Sequence, residues 1–172
     1  MRNDNRKWQN PIDADQGFSV PGVRVSSLPP PRQILLSGIA PTALRVCGCH
    51  AAFGWPDIVQ EETFALRLRR DRVMIVNGPQ LEDGWDATNE LAVSDVSDGY
   101  QVLEICGPRA LDLIQRGAEV SLAIPSASAV RQFAGFEVLL YRWRTENQYH
   151  LHIPQYNAQA LLLHLGTVAQ DM

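Results

Sequence analysis

At 172 residues, with 45% hydrophobic and 20% charged residues, the chain can build a domain with a sizeable core, which excludes a disordered protein. Its 15 basic and 19 acidic residues give a net charge of −4, which argues against a dedicated nucleic-acid binder, because neutralising phosphates needs a basic surface. Three cysteines make no disulfide framework, the start lacks the apolar run of a signal peptide, and no apolar stretch approaches membrane-spanning length, so a cytoplasmic protein is expected.

Residues 1–33 are polar and punctuated by Pro11, Pro21 and Pro29-Pro30-Pro31. A segment with so little apolar surface cannot fold alone, so it reads as an extended, proline-rich N-terminal arm ahead of a single α+β domain over 34–172. Trp8, Phe18 and Val20 are its expected partner-binding anchors, since large apolar groups dominate interface energies. Val23, Val25 and Leu28 are placed to dock the arm along another surface. Ile34 to Pro41 is short and apolar and fits either a strand or a loop.

A hairpin follows. Phe64 to Leu68 alternates, Arg69-Arg70-Asp71 turns, and Val73 to Val76 returns as a more deeply buried strand. Asn77-Gly78-Pro79 breaks that strand. The acidic stretch Leu81 to Leu91, with Trp85, Ala87 and Leu91 as its apolar contacts, is expected to form a short helix.

The sharpest punctuation lies between Asp95 and Gly117. Tyr100 to Cys106 is β-branched and apolar, hence a strand. Gly107-Pro108 ends it and opens a helix, where proline at the first position loses no intrahelical bond. Ala110, Leu111, Leu113 and Ile114 share one face of that helix, Arg109, Asp112, Gln115 and Arg116 the other, and Gly117 stops it. Ala118 to Pro125 then leads into a small-residue loop, Ser126 to Ala129. From Gln132 to Ile153 a second hairpin is expected, with a three-residue turn at Thr145-Glu146-Asn147. That turn sets Trp143 opposite Tyr149, Tyr141 opposite Leu151 and Leu139 opposite Ile153 on one face, with Arg142, His150 and His152 on the other. A last helix runs from about Tyr156 on Ala158, Leu161, Leu162 and Leu165, closed by Gly166. No repeat is visible as residue identity, although strand–helix–strand–strand–helix order recurs loosely.

Three groups invite a chemical reading. Cys47-Gly48-Cys49-His50 offers soft ligands, but its cysteines are spaced more tightly than zinc sites favour and no fourth ligand follows, so buried thiols and a solvated histidine are expected and no metal. His150 and His152 point to one face of a strand, yet nothing in the sequence sets a third ligand beside them, so two partly solvated histidines near Arg142 are the reading. Asp95, Ser97 and Asp98 precede a strand and are explained by Asx and serine turn bonding. No dinucleotide or phosphate-loop fingerprint occurs, and no catalytic residue is assigned.

Asp95-Val96-Ser97-Asp98-Gly99, the strand after it, Gly107-Pro108-Arg109-Ala110 with Leu113 and Gly117, Phe136 to Arg142, His150 to Pro154 and the Ala158–Leu165 helix together resemble the gamma subunit of heterotetrameric sarcosine oxidase. That subunit belongs to the aminomethyltransferase-like, folate-binding group. The resemblance covers about the C-terminal half and thins to Arg72 to Val76 before it. It implies antiparallel β-hairpins with short helices in a split, ferredoxin-like βαβ arrangement. It also implies a non-catalytic gamma subunit of a multi-subunit oxidase of sarcosine or a related N-methyl amino acid. The partners it implies are flavoprotein alpha and beta subunits and a small delta subunit. FAD, FMN, NAD, tetrahydrofolate and zinc are then expected on those partners and none on this chain. The family has a longer helix near Leu81 to Leu91 and a cysteine where Ala118 stands, so any role of that cysteine is lost. The acidic folate-side residue of the aminomethyltransferases has no counterpart here, and likeness of fold does not transfer activity. The alternatives are a stand-alone folate-binding or one-carbon transfer domain, and an unrelated binding module.

Overall fold

The computed structural model describes residues 12, 13 and 15–172. The strand and helix read around the Gly107-Pro108 break both form, β10 (Tyr100–Cys106) leading into α2 (Ala110–Gly117), but Pro108 lies in the turn before the helix and Gly117 is its last residue. Gly107 has φ 122, and a Cβ there would lie 2.4 Å from the carbonyl oxygen of Gly22, so the turn needs glycine twice over. Ala110, Leu113 and Ile114 are buried, while Arg109 and Asp112 form an exposed ion pair at 3.5 Å.

Before β10 the chain forms β1 (Gly17–Val20), β2 (Val23–Leu28), β3 (Gln33–Ser37), α1 (Ala40–Val46), β4 (Ala52–Phe53), β5 (Ile58–Val59), β6 (Phe64–Arg69), β7 (Arg72–Val76), β8 (Gly84–Asp86) and β9 (Leu91–Asp95). After α2 come β11 (Val130–Phe133), β12 (Phe136–Trp143), β13 (Gln148–Pro154) and α3 (Gln155–Gln170). The class is α+β, mostly antiparallel with few helices. One sheet runs β1-β2-β10-β13-β12-β11, with β5 added parallel to β12; the other runs β4-β6-β7-β3-β9-β8.

Three apolar layers hold these sheets in place. Val23, Val25, Leu103, Ile105, Leu140 and Leu151 of the first sheet pack against Leu113, Ile114, Leu161 and Leu165 of α2 and α3. Ile34, Leu36, Val73, Ile75 and Leu91 of the second sheet pack against Ala40, Ala43 and Cys47 at α1. Between the sheets lie Phe64, Leu66, Met74 and Val76 of the second sheet and Leu139 and Tyr141 of the first. The molecule is therefore layered helix–sheet–sheet–helix, each fully buried aliphatic side chain contributing about 1.5–3 kcal/mol.

Several expectations are corrected. Residues 17–28 of the expected arm are paired strands of the first sheet, because alternating Val23 and Val25 fill its core at 3% and 0% exposure. Trp8 lies outside the described residues. Leu81 to Leu91 forms no helix: β8, a turn in which Asp86 accepts from the Thr88 and Asn89 amides, and left-handed Glu90 lead into β9. Ile34 to Pro41, open between strand and loop, divides into β3 and the start of α1, where Pro41 sits in the first turn at no cost to the helix. Gly166 lies inside α3, which continues to Gln170, beside the Phe18 ring.

The hairpin of β12 and β13 is shifted by one residue from the expected register. Arg142 pairs with Tyr149, Tyr141 with His150, Leu140 with Leu151 and Leu139 with His152. Residues 144–147 form the turn, with Arg144, not Asn147, left-handed at φ 56. Both faces of this hairpin are buried, one by helices and one by the second sheet, so hydrophobicity alone could not select the register.

Candidate functional site

The shifted register places Tyr141, His150 and His152 together on the face turned toward the second sheet, with Arg142 on the opposite face. Both histidines, expected to be partly solvated, are buried, at 8% and 0% exposure. Burial of such groups requires partners. Gln33, on β3 of the other sheet, directs its amide nitrogen to the Tyr100 carbonyl at 3.2 Å, which turns its oxygen toward His152 Nδ1 at 2.6 Å. The His152 proton is thereby assigned to Nδ1, leaving Nε2 to accept from the Tyr141 hydroxyl at 3.0 Å. The same hydroxyl lies 3.3 Å from His150 Nδ1, and His150 Nε2 lies 3.4 Å from a Glu104 oxygen. Gln148 and Arg24 also donate to Glu104, and Arg24 reaches solvent. At the other, solvent-facing end the Gln33 backbone N–H donates to Ser97 Oγ, which donates to Asp95. A continuous polar chain thus joins the two sheets from Asp95 to Arg24.

Its protonation states are set by burial and contact. Burial, reinforced by neighbouring His150, pushes His152 down to about 3, so its ring stays neutral. Burial likewise raises Tyr141 well above the ordinary phenol range. His150 above all, then Gln148 and Arg24, hold Glu104 at about 2 against the burial that opposes them. Neither Glu104 nor His152 titrates near neutrality, where a general acid or base is most effective. The chain of bonds is fitted to join two sheets.

A cavity of about 150 Å³ opens beside it, walled by Phe64, Val76, Tyr141 and Trp143, with Pro29 and Pro31 at its rim. Ligand pockets for cofactor-sized molecules occupy about 300–1,000 Å³, so this one is small. Trp143 stacks on His150 at 4.9 Å, and Arg144 lies over its ring at 5.2 Å while pairing with Glu62 at the rim.

The other sequence candidates lie elsewhere. Burial, and secondarily Cys49, pushes the Cys47 thiol up to about 11; burial and then Glu61 raise Cys49 as well, so neither is an activated nucleophile. His50 is exposed, and among the described residues no group of three or more metal-ligating side chains forms. Asp95 makes the expected Asx turn, accepting from the Ser97 amide at 2.9 Å and its hydroxyl at 2.6 Å. Phe18 and Val20 pack half-buried against the first sheet's core. Sequence reading missed Gln33 and Glu104. A signal for burial on both faces was present in the apolar run Val138 to Tyr141, whereas Tyr149 to Ile153 alternates with His150 and His152 and reads as one-sided.

Two mostly antiparallel sheets face to face, covered by helices and tied by a buried polar chain, define the class: an α+β sandwich without an evident catalytic constellation among the described residues. No family model matches the chain, and no curated protein matches it. Among solved structures it is similar to a chain of the heterotetrameric sarcosine oxidase of Corynebacterium sp. U-96, determined in complex with pyrrole 2-carboxylate. That likeness has a TM-score of 0.70 at 15% identity and covers 90% of this chain and 87% of that one. The shared feature is the fold. No helix among the described residues is long and apolar enough to cross a membrane.

Proposed function

We propose that this chain is a non-catalytic, gamma-type subunit of a multi-subunit oxidase of sarcosine or a related N-methyl amino acid, and that it supports assembly of the flavoprotein subunits. The observation that carries this reading is the two-sided coverage: a likeness spanning 90% of one chain and 87% of the other pairs chains of similar length, not a small protein with a domain of a large one. Each sheet is then one split, ferredoxin-like unit, and FAD, FMN, NAD, tetrahydrofolate and zinc belong to the alpha, beta and delta partners in the cytoplasm. Trp8, with whatever surface Phe18 and Val20 keep exposed along β1, serves as the N-terminal contact to those partners.

Co-expression with flavoprotein oxidase subunits encoded beside the gene tests this. The expected result is a complex that carries flavin and retains this chain through affinity and size-exclusion steps. Failure to co-purify with any of them would end the reading. The stand-alone folate-binding alternative predicts that the isolated chain binds tetrahydrofolate.

A further inference from the structure

The sheets share a plan and differ at one place. In the first, β10, α2, β12 and β13 follow in chain order with β13 between β10 and β12, and β2 flanks β10. In the second, β3, α1, β6 and β7 follow in the same order with β7 between β3 and β6, and β9 flanks β3. The first sheet carries a second helix after its third strand, α3, packed beside α2. The corresponding stretch of the second sheet, residues 77–90, holds β8 and turns instead. Beside α1, where a second helix would lie, the surface stays open.

That surface is apolar at its centre. Trp85 is 66% exposed and Ile39 62%, behind only Tyr156, Ile124 and Leu163 among the large apolar side chains of the described residues. Trp85 lines a cleft of about 420 Å³ with Val46, Leu81 and Leu91, and a second of about 550 Å³ with Ile39 and Pro41. The rim is acidic. Glu82, Asp83 and Asp86 border the first cleft and Glu90 the second, which also carries Arg70 beside Asp71. Asp83 accepts from the Asp95 amide, and Asp86, bonded by the side chain and backbone of Asn89, is held below the usual carboxylate range. Among the described residues, none of these four carboxylates has a basic side chain within ion-pair distance. Exposed tryptophan in an acidic frame selects against anionic lipid and nucleic acid and in favour of a cationic, apolar occupant.

We propose that the groove between α1 and β8 receives a basic amphipathic helix of a partner polypeptide. Its apolar stripe packs on Trp85, Ile39 and Leu81 along the open β8 edge of the second sheet, and its lysines or arginines face Glu82, Asp83 and Glu90. This assignment stands whether or not the partner is an oxidase subunit.

A helical peptide with leucine on one stripe and lysine elsewhere, and its counterpart with glutamate replacing lysine, provide the test by amide-resolved NMR on the full chain. The lysine peptide should shift resonances confined to Ile39–Val46 and Leu81–Glu90, more weakly as salt rises. Its affinity should fall at least tenfold in Trp85→Ala and in Glu82→Lys, both exposed positions whose folding circular dichroism checks. Absence of shifts, shifts centred elsewhere, or equal binding of the glutamate peptide would overturn the proposal. The same shifts appearing on concentration of the protein alone would assign the groove to a second copy and also overturn it.

Discussion

The two sheets use one strand order but spend their outer faces differently. The first is covered by two helices, whose Leu113, Ile114, Leu161 and Leu165 are at 1% exposure or less. The second carries one short helix and leaves Trp85 and Ile39 in solvent. A strand–helix–strand–strand unit is thus stable with one helix when its other face is packed on a second sheet. What the missing helix removes from the fold, it leaves as surface for another molecule.

The largest test of this contrast is truncation. Removing residues 1–31, which the sequence alone presents as a dispensable arm, takes β1 and β2 from the first sheet and with them Val23 and Val25. The truncated chain should fail to give a cooperative unfolding transition. A folded product with native circular dichroism would show that the first sheet closes without its N-terminal strands.

Next in size is Gly107→Ala. Positive φ and the approach of the Gly22 carbonyl both oppose a side chain, so a loss of more than ~1 kcal/mol is expected from denaturant midpoints at constant slope. An unchanged midpoint would remove the claim that this turn fixes β10 against α2.

Tyr141→Phe probes the tie between the sheets. It leaves His152 Nε2 buried without its donor, at a cost of about 1–3 kcal/mol. By contrast Trp85→Ala, at an exposed position on the second sheet, should move stability by less than about 0.5 kcal/mol. Equal losses at both sites would erase the distinction between a sealed and an open face.

Acidification probes the same tie through a pH profile. His152 is depressed in the folded chain, so on acidification the unfolded chain takes up its proton first. Stability is then complete above about pH 6.5 and declines toward about 3, by ~2 kcal/mol on reaching about pH 5. Glu104, also depressed, adds a further loss as pH falls from about 4.5 toward 2. His152→Gln should flatten the upper window while leaving the lower one, and a profile identical to the parent would reassign the effect.

What the sequence could and could not disclose follows the same division. The β10–α2 unit was legible because Gly107, Pro108 and Gly117 punctuate a pattern that local rules decode. The β6–β7 hairpin was legible for similar reasons. The register of β12 and β13 was not, since Leu139 and Leu140 both become buried and only the distant Gln33 and Glu104 distinguish the two alternatives. The Leu81 to Leu91 stretch misled because its acidic residues suit a helix N-terminus, whereas Asp86 uses its carboxylate to close a turn. Val23 and Val25 lay in a proline-rich context that concealed β2, a strand whose pairs run from Leu28↔Val102 to Arg24↔Cys106, 74 to 82 positions apart.

The central claim is that this chain supports a flavoprotein assembly without taking part in its chemistry. Its most direct test is turnover per bound flavin in the purified complex, comparing the parent chain with His150→Gln in this subunit. The account predicts a lower yield of complex but unchanged turnover for each complex that forms. An intact complex, full in flavin, whose turnover falls tenfold or more would place His150 in the reaction and contradict the account.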